Sequence, residues 1–82
     1  TYPQVLINVR VSDKKAAMAD PDVVAAAAGV ESALAGDGRA LVRASGTEPL
    51  VRVMVEAATD EIAREQAQRV VDVIREKGWA TE

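Results

Sequence analysis

Eighty-two residues carrying a net charge of −3, with no Cys and no His, suffice for one domain with a thin core. Disulfides, thiolate nucleophiles, Cys/His zinc sites and imidazole acid-base catalysis are excluded. The acidic balance argues against a nucleic-acid binder, since that affinity comes largely from Lys and Arg, and Tyr2 and Trp79 are the only aromatic residues available for base stacking. The chain opens Thr1-Tyr2-Pro3 without an initiator Met, a leader pattern or a run able to span a bilayer, so the expectation is an excised piece of a soluble, cytoplasmic protein.

Residues 4–11 alternate, with Val5, Ile7, Val9 and Val11 on one face and Gln4, Leu6, Asn8 and Arg10 on the other, which predicts a half-buried strand. Ser12-Asp13-Lys14-Lys15 reads as a polar turn. Asp20 then offers an N-cap, Pro21 suits the first helical position, and Val23, Ala27, Val30 and Leu34 recur at helical spacing up to a Gly36 cap. After the turn Gly36-Asp37-Gly38, a strand over 39–44 points Ala40, Val42 and Ala44 to one side. A strand over 50–57 points Val51, Val53, Val55 and Ala57 to one side and Leu50, Arg52, Met54 and Glu56 to the other. Thr59 or Asp60 can cap a last helix, with Ala63, Ala67, Val70, Val71 and Ile74 as its apolar stripe and Gly78 at its end. Strand, helix, strand, strand, helix makes an α+β two-layer sandwich with a mainly antiparallel sheet, a single domain over residues 1–82.

The stretch most able to carry chemistry is Arg43-Ala44-Ser45-Gly46-Thr47-Glu48-Pro49-Leu50-Val51-Arg52. Paired as a hairpin, it sets Arg43 and Arg52 on the same open face at the two ends of a loop. That loop offers two hydroxyls and backbone N–H groups, and Gly46 can let an anion come close. Guanidinium forks with hydroxyl and amide donors match the oxygens of a phosphate monoester. Glu48 would repel such a ligand if it pointed inward, so it is expected to pair with an Arg or to cap the loop. On pattern alone, a plain hairpin with two solvated arginines is an equal alternative.

Arg43-Ala44-Ser45-Gly46-Thr47-Glu48-Pro49 followed by Arg52 resembles the phosphate-binding loop of the α-D-phosphohexomutases, which move a phosphoryl group between the C1 and C6 positions of a hexose. Tyr2-Pro3-Gln4-Val5-Leu6-Ile7-Asn8-Val9-Arg10-Val11 and Leu50-Val51-Arg52-Val53-Met54-Val55-Glu56-Ala57 are similar to the C-terminal domain of the bacterial phosphoglucosamine mutase family within it. The resemblance implies a TATA-box-binding-protein-like fold. It also implies that Arg43, Ser45, Gly46, Thr47 and Arg52 hold the substrate phosphate that is not being transferred. On this reading the parent enzyme is an isomerase that interconverts glucosamine 6-phosphate and glucosamine 1-phosphate, on the route to UDP-N-acetylglucosamine and the cell wall. Its phosphoserine, magnesium loop and sugar-recognition loop would lie in other domains of the same chain, and this fragment would hold no cofactor and catalyse nothing. A phosphomannomutase or phosphoglucomutase would share the loop, and a stand-alone interaction module is the rival of a different class.

Gly36-Asp37-Gly38-Arg39 is similar to part of that family's Asp-rich magnesium loop, but one Asp cannot supply three converging carboxylates, so a turn is expected. Leu6, Leu41, Leu50 and Met54 fall on polar faces. They are either surface and sheet-end packing or a patch for another domain.

Overall fold

The computed structural model describes residues 2–81. Its elements are β1 (Gln4–Arg10), α1 (Lys14–Ala19), α2 (Pro21–Leu34), β2 (Gly38–Ala44), β3 (Leu50–Ala57) and α3 (Asp60–Glu76). The strands form an antiparallel sheet in the order β1-β3-β2, with the helices packed on one side of it. This is the α+β two-layer arrangement that the alternation predicts, with one helix more than expected.

The extra helix is α1, which starts inside the stretch read as a polar turn and runs on through residues 16–19. Asp13 caps it, its side chain accepting from Ala16 N at 3.1 Å. Six residues with Ala17 alone fully buried leave no apolar period to detect, and so the local polarity of Ser12-Asp13-Lys14-Lys15 misleads.

Register lines up the side chains in rows across the sheet. Toward the helices the rows are Val5, Val55, Ala40; then Ile7, Val53, Val42; then Val9, Val51, Ala44. The central strand β3 buries all its inward residues completely, whereas Ala40 and Val42 on the edge strand β2 are only half-buried and Ala44 is exposed. The predicted stripe of α3, from Ala63 to Ile74, is buried in full. On α2 the buried face runs Val23, Ala26, Val30 and Leu34, so Ala26 takes the place expected for Ala27, which is half-buried beside an apolar cleft against β2.

Each helix stops for an identifiable reason. Ala35 turns left-handed at φ 49° after α2, followed by Gly36 at φ 82°. At the end of α3, Gly78 N donates to Arg75 O and Trp79 N to Ile74 O, the paired bonds that close a helix on a left-handed glycine. Gly38 has no substitute. It sits at φ 141°, and a Cβ there would lie 2.1 Å from the Glu56 carbonyl oxygen.

A polar clasp joins the two ends of the helical layer. Asp20 is 9% exposed; it caps α2 by accepting from Asp22 N at 2.8 Å and accepts the Trp79 indole N–H at 2.8 Å. Lys77 lies 3.9 Å from the same carboxylate and 2.7 Å from that of Asp22. The indole hydrogen bond, helped by the Asp22 amide and Lys77 and opposed by burial, holds the Asp20 carboxyl below its usual range. Beyond the clasp, Val11 bridges to Ala80, and Thr81 N donates to Arg10 O, so the C-terminal tail continues the β1 edge.

Because the folded state depresses the Asp20 pKa, the linked stability is whole above the ordinary carboxylate value of about 4 and is lost as pH falls through the lower folded value. Trp79 is the sole tryptophan, and its fluorescence in an acid titration reports the step directly. Asp20→Asn, which keeps capping ability, should flatten this acid dependence, while Asp20→Ala should lower the thermal midpoint by about 5 °C or more. An unchanged acid profile in the Asn variant would remove Asp20 from the account.

The glycines supply a second check. Gly38→Ala should cost at least about 2 kcal/mol, because both the dihedral and a backbone atom oppose the new methyl. Gly46→Ala should stay within about 0.5 kcal/mol, nothing lying within 4 Å of its Cβ position. Denaturant melts of the two variants decide it.

Candidate functional site

β2 and β3 form a hairpin whose connection is residues 45–49. On its open face the pairs read Arg39 opposite Glu56, Leu41 opposite Met54, and Arg43 opposite Arg52, with Asn8 of β1 flanking Arg52. The first pair is an ion pair at 3.1 Å. The third sets two like charges directly opposite one another, where Cβ atoms stand about 4.5–5.5 Å apart and repulsion works against the sheet. Both arginines are exposed, and among the described residues neither has a carboxylate partner.

The loop beside them is internally braced. Ser45 is buried, its N–H donates to Leu50 O at 2.9 Å, and its Oγ accepts from Thr47 N at 3.4 Å and Glu48 N at 3.2 Å. Leu50 N in turn donates to Glu48 O at 2.8 Å. Of the expected run of loop N–H groups, therefore, most are spent inside the loop. The Gly46 N–H has no acceptor among the described residues. Nor is Gly46 among the left-handed glycines, so its value to the loop is the open space above its backbone rather than an unusual dihedral. The Ser45 hydroxyl keeps its own proton to donate, and Thr47 is exposed.

Glu48 points its carboxylate to Arg10 at 3.4 Å, one of the two arrangements expected for it. Two residues of the surroundings are not legible in the motif. Arg10 draws the acid aside, and Lys14, the first residue of α1, donates from its ammonium to Ser45 O at 2.6 Å and to Glu48 O at 3.1 Å. Lys14 is 31 positions from Ser45, and only the fold brings them together.

Elsewhere the chemistry is thinner. Asp37, in the segment similar to a magnesium loop, accepts the Tyr2 hydroxyl, which raises the Tyr2 pKa. Among the described residues, no group of three or more His, Cys, Asp or Glu converges as a metal would require, so the residues of this segment do not fit magnesium. Leu6 and Leu41 are 58% and 39% exposed on the open face. Leu50 and Met54 lie on that face as well but are packed within the chain, at 4% and 9% exposure, while Arg52 between them stays exposed.

The family model for the phosphoglucomutase/phosphomannomutase C-terminal domain matches residues 6–73. Phosphoglucosamine mutases of Leuconostoc mesenteroides and Staphylococcus carnosus are 55% and 60% identical over 76 residues, which is 93% of this chain and 17% of each relative. The N-acetylphosphoglucosamine mutase of Aspergillus fumigatus in complex with glucose 1,6-bisphosphate superimposes with a TM-score of 0.80 at 31% identity, over 96% of this chain and 16% of that one. The same enzyme in complex with GlcNAc-6P and magnesium gives 0.76 at 32% identity, over 94% of this chain and 16% of that one. The chain thus spans about a sixth of the relatives it matches. It belongs to the phosphoglucomutase/phosphomannomutase C-terminal domain family of the α-D-phosphohexomutases.

Proposed function

We propose that this chain is the single phosphate-gripping domain of a phosphoglucosamine mutase, holding the phosphate of glucosamine 6-phosphate or glucosamine 1-phosphate that is not being transferred. The observation that carries the reading is the Arg43–Arg52 pair. Two facing guanidiniums without an acid between them are a liability in the free fold and an asset once a dianion bridges them. Arg43 and Arg52 supply forked donors, Ser45 and Thr47 supply hydroxyl protons, and Gly46 supplies an amide with open space above it. By pairing with Arg10, Glu48 is kept from competing for them. That the most similar relatives reported above are phosphoglucosamine mutases favours the amino sugar over the phosphomannomutase and phosphoglucomutase alternatives.

In this reading all five groups bind and orient the phosphate, and the domain takes no part in phosphoryl transfer itself. The phosphoserine and magnesium chemistry belongs to other domains of the same chain. Held by its inert phosphate, the sugar would be presented to those domains as they close over it, with water excluded from the reacting end.

Roughly four charge-assisted hydrogen bonds at about 1.5–3 kcal/mol each give a gross gain of about 6–12 kcal/mol. Association costs about 4 kcal/mol or more before any ordering of the arginines. With the ordering of two arginines and the loop added to that cost, the surplus falls to about 4 kcal/mol or less, which corresponds to a dissociation constant of about a millimolar or weaker for the isolated chain.

A chemical-shift titration with glucosamine 6-phosphate should therefore move Ser45, Gly46 and Thr47 at millimolar concentration, should be largely reproduced by sulfate, and should weaken with salt. Arg43→Ala and Arg52→Ala should abolish the response while leaving stability within about 0.5 kcal/mol, since both side chains are exposed. Lys at either position should restore it poorly for want of the fork. Shifts confined to the helices, or an equal response to glucosamine, would overturn the assignment.

A further inference from the structure

Lys14 lies outside the motif and makes no contact that the proposed phosphate grip requires, yet it holds the loop by two carbonyls at once. Its partly buried ammonium takes Ser45 O at 2.6 Å and Glu48 O at 3.1 Å. The first of these bonds has a geometric consequence. A trans peptide is planar with its C=O and N–H directed oppositely, so a Ser45 carbonyl drawn toward Lys14 directs the N–H of the same peptide, that of Gly46, away from it. That N–H lacks an acceptor within the described chain, and no atom outside residues 45–47 lies within 4 Å of the position a Gly46 Cβ would take. The Glu48 carbonyl has a second donor in Leu50 N at 2.8 Å and is followed by Pro49, which has no N–H, so this bond fixes the far side of the loop without exposing a donor.

We infer that Lys14 is a positioning residue for anion binding, one that pre-sets the Gly46 N–H as an outward donor before the ligand arrives. The inference rests on the phosphate-site reading above. Pre-setting matters because an amide that must be flipped at the moment of binding subtracts that reorganisation from the affinity. The neighbouring Lys15 carries the same charge on the same short helix, is exposed, and forms no ion pair or hydrogen bond with the loop. It therefore separates position from charge.

The test is a set of 15N chemical-shift titrations with inorganic phosphate on the 82-residue chain and its Lys14→Met, Lys14→Arg and Lys15→Met variants. Thermal midpoints establish that each is folded, and Lys14→Gln replaces the Met variant should that one unfold. The expected result is an affinity about threefold to tenfold weaker for Lys14→Met, the value of one well-aligned hydrogen bond, with Lys14→Arg intermediate and Lys15→Met close to the parent. In the ligand-free Lys14→Met chain, the Gly46 and Thr47 amide resonances should move as the loop relaxes. Equal losses in Lys14→Met and Lys15→Met would reduce the effect to charge and overturn the positioning role, as would an unchanged affinity in Lys14→Met. If the parent chain shows no loop response to phosphate, the site reading itself fails. Movement of the ligand-free amides in Lys14→Met would then leave Lys14 a structural tie with no role in anion binding.

Discussion

The register of β3 is the constraint on which the rest of the structure depends. As the middle strand it is hydrogen-bonded on both sides, and its inward residues Val51, Val53, Val55 and Ala57 are completely buried. Sliding it by one position would turn four buried apolar side chains to solvent and bring Arg52 and Glu56 into the core, so the fold admits a single register. The open-face rows inherit that precision at no further cost. Arg52 faces Arg43 because Val51 and Val53 cannot be anywhere else. The like-charge pair is thus imposed by the core on the surface. A sheet of modest size can carry it because its cost is a surface cost, small beside the burial that enforces it.

The same two strands show what a structurally optimised row looks like. Four residues further along β3 from Arg52, Glu56 meets Arg39 in an ion pair at 3.1 Å. Nothing in the backbone distinguishes the rows, and the departure at Arg43–Arg52 lies where the hairpin loop brings hydroxyls and an open amide. A row whose side chains oppose local stability on a regular backbone is where a functional or strained site is expected. The neighbouring Arg10–Glu48 pair has the complementary effect of withdrawing the nearby acid.

Legibility from sequence followed the length scale of the signal. β1, β3 and α3 were readable because their periodicity runs for seven residues or more; it agrees with burial in β1 and at every buried position of α3, while β3 also buries Leu50 and Met54 on its other face. α1 was not, since six residues with Ala17 as the sole buried side chain carry no period, and Asp13-Lys14-Lys15 has the composition of a turn. Leu50 and Met54 were assigned the correct face with their packing left open: alternation gives the side a residue points to, while its depth is set by what the fold lays over it. In the site, the residues at fixed spacing in the hairpin could be named from the motif. The internal bonding of Ser45 Oγ, which leaves Gly46 with the open amide, and the contribution of Lys14 could not, because both arise from three-dimensional closure of a loop on a helix 31 residues away.

Residues 10–14 connect the stability of the fold to the shape of the site. Arg10 pairs with Glu48 through its side chain and accepts from Thr81 N through its carbonyl. Val11 N donates to Pro49 O at 2.9 Å while the same residue bridges to Ala80. Ser12 N donates to Trp79 O, Asp13 caps α1, and Lys14 reaches the loop carbonyls. One side of this segment is held by the C-terminal tail and the other holds the loop. Trp79, which anchors the tail, is itself fixed by the buried Asp20 carboxylate. Loosening that clasp would release the tail from Val11 and Ser12, and with it one support of the segment that meets the loop, while Arg10 stays paired in the sheet and the Ser45 Oγ bonds stay in place. The coupling needs no change in the arginines, whose position is set independently by the core. The two halves of the site therefore have separate supports: the forked donors stand on the sheet, and the loop stands on Lys14, on Val11 N and on its own internal bonds.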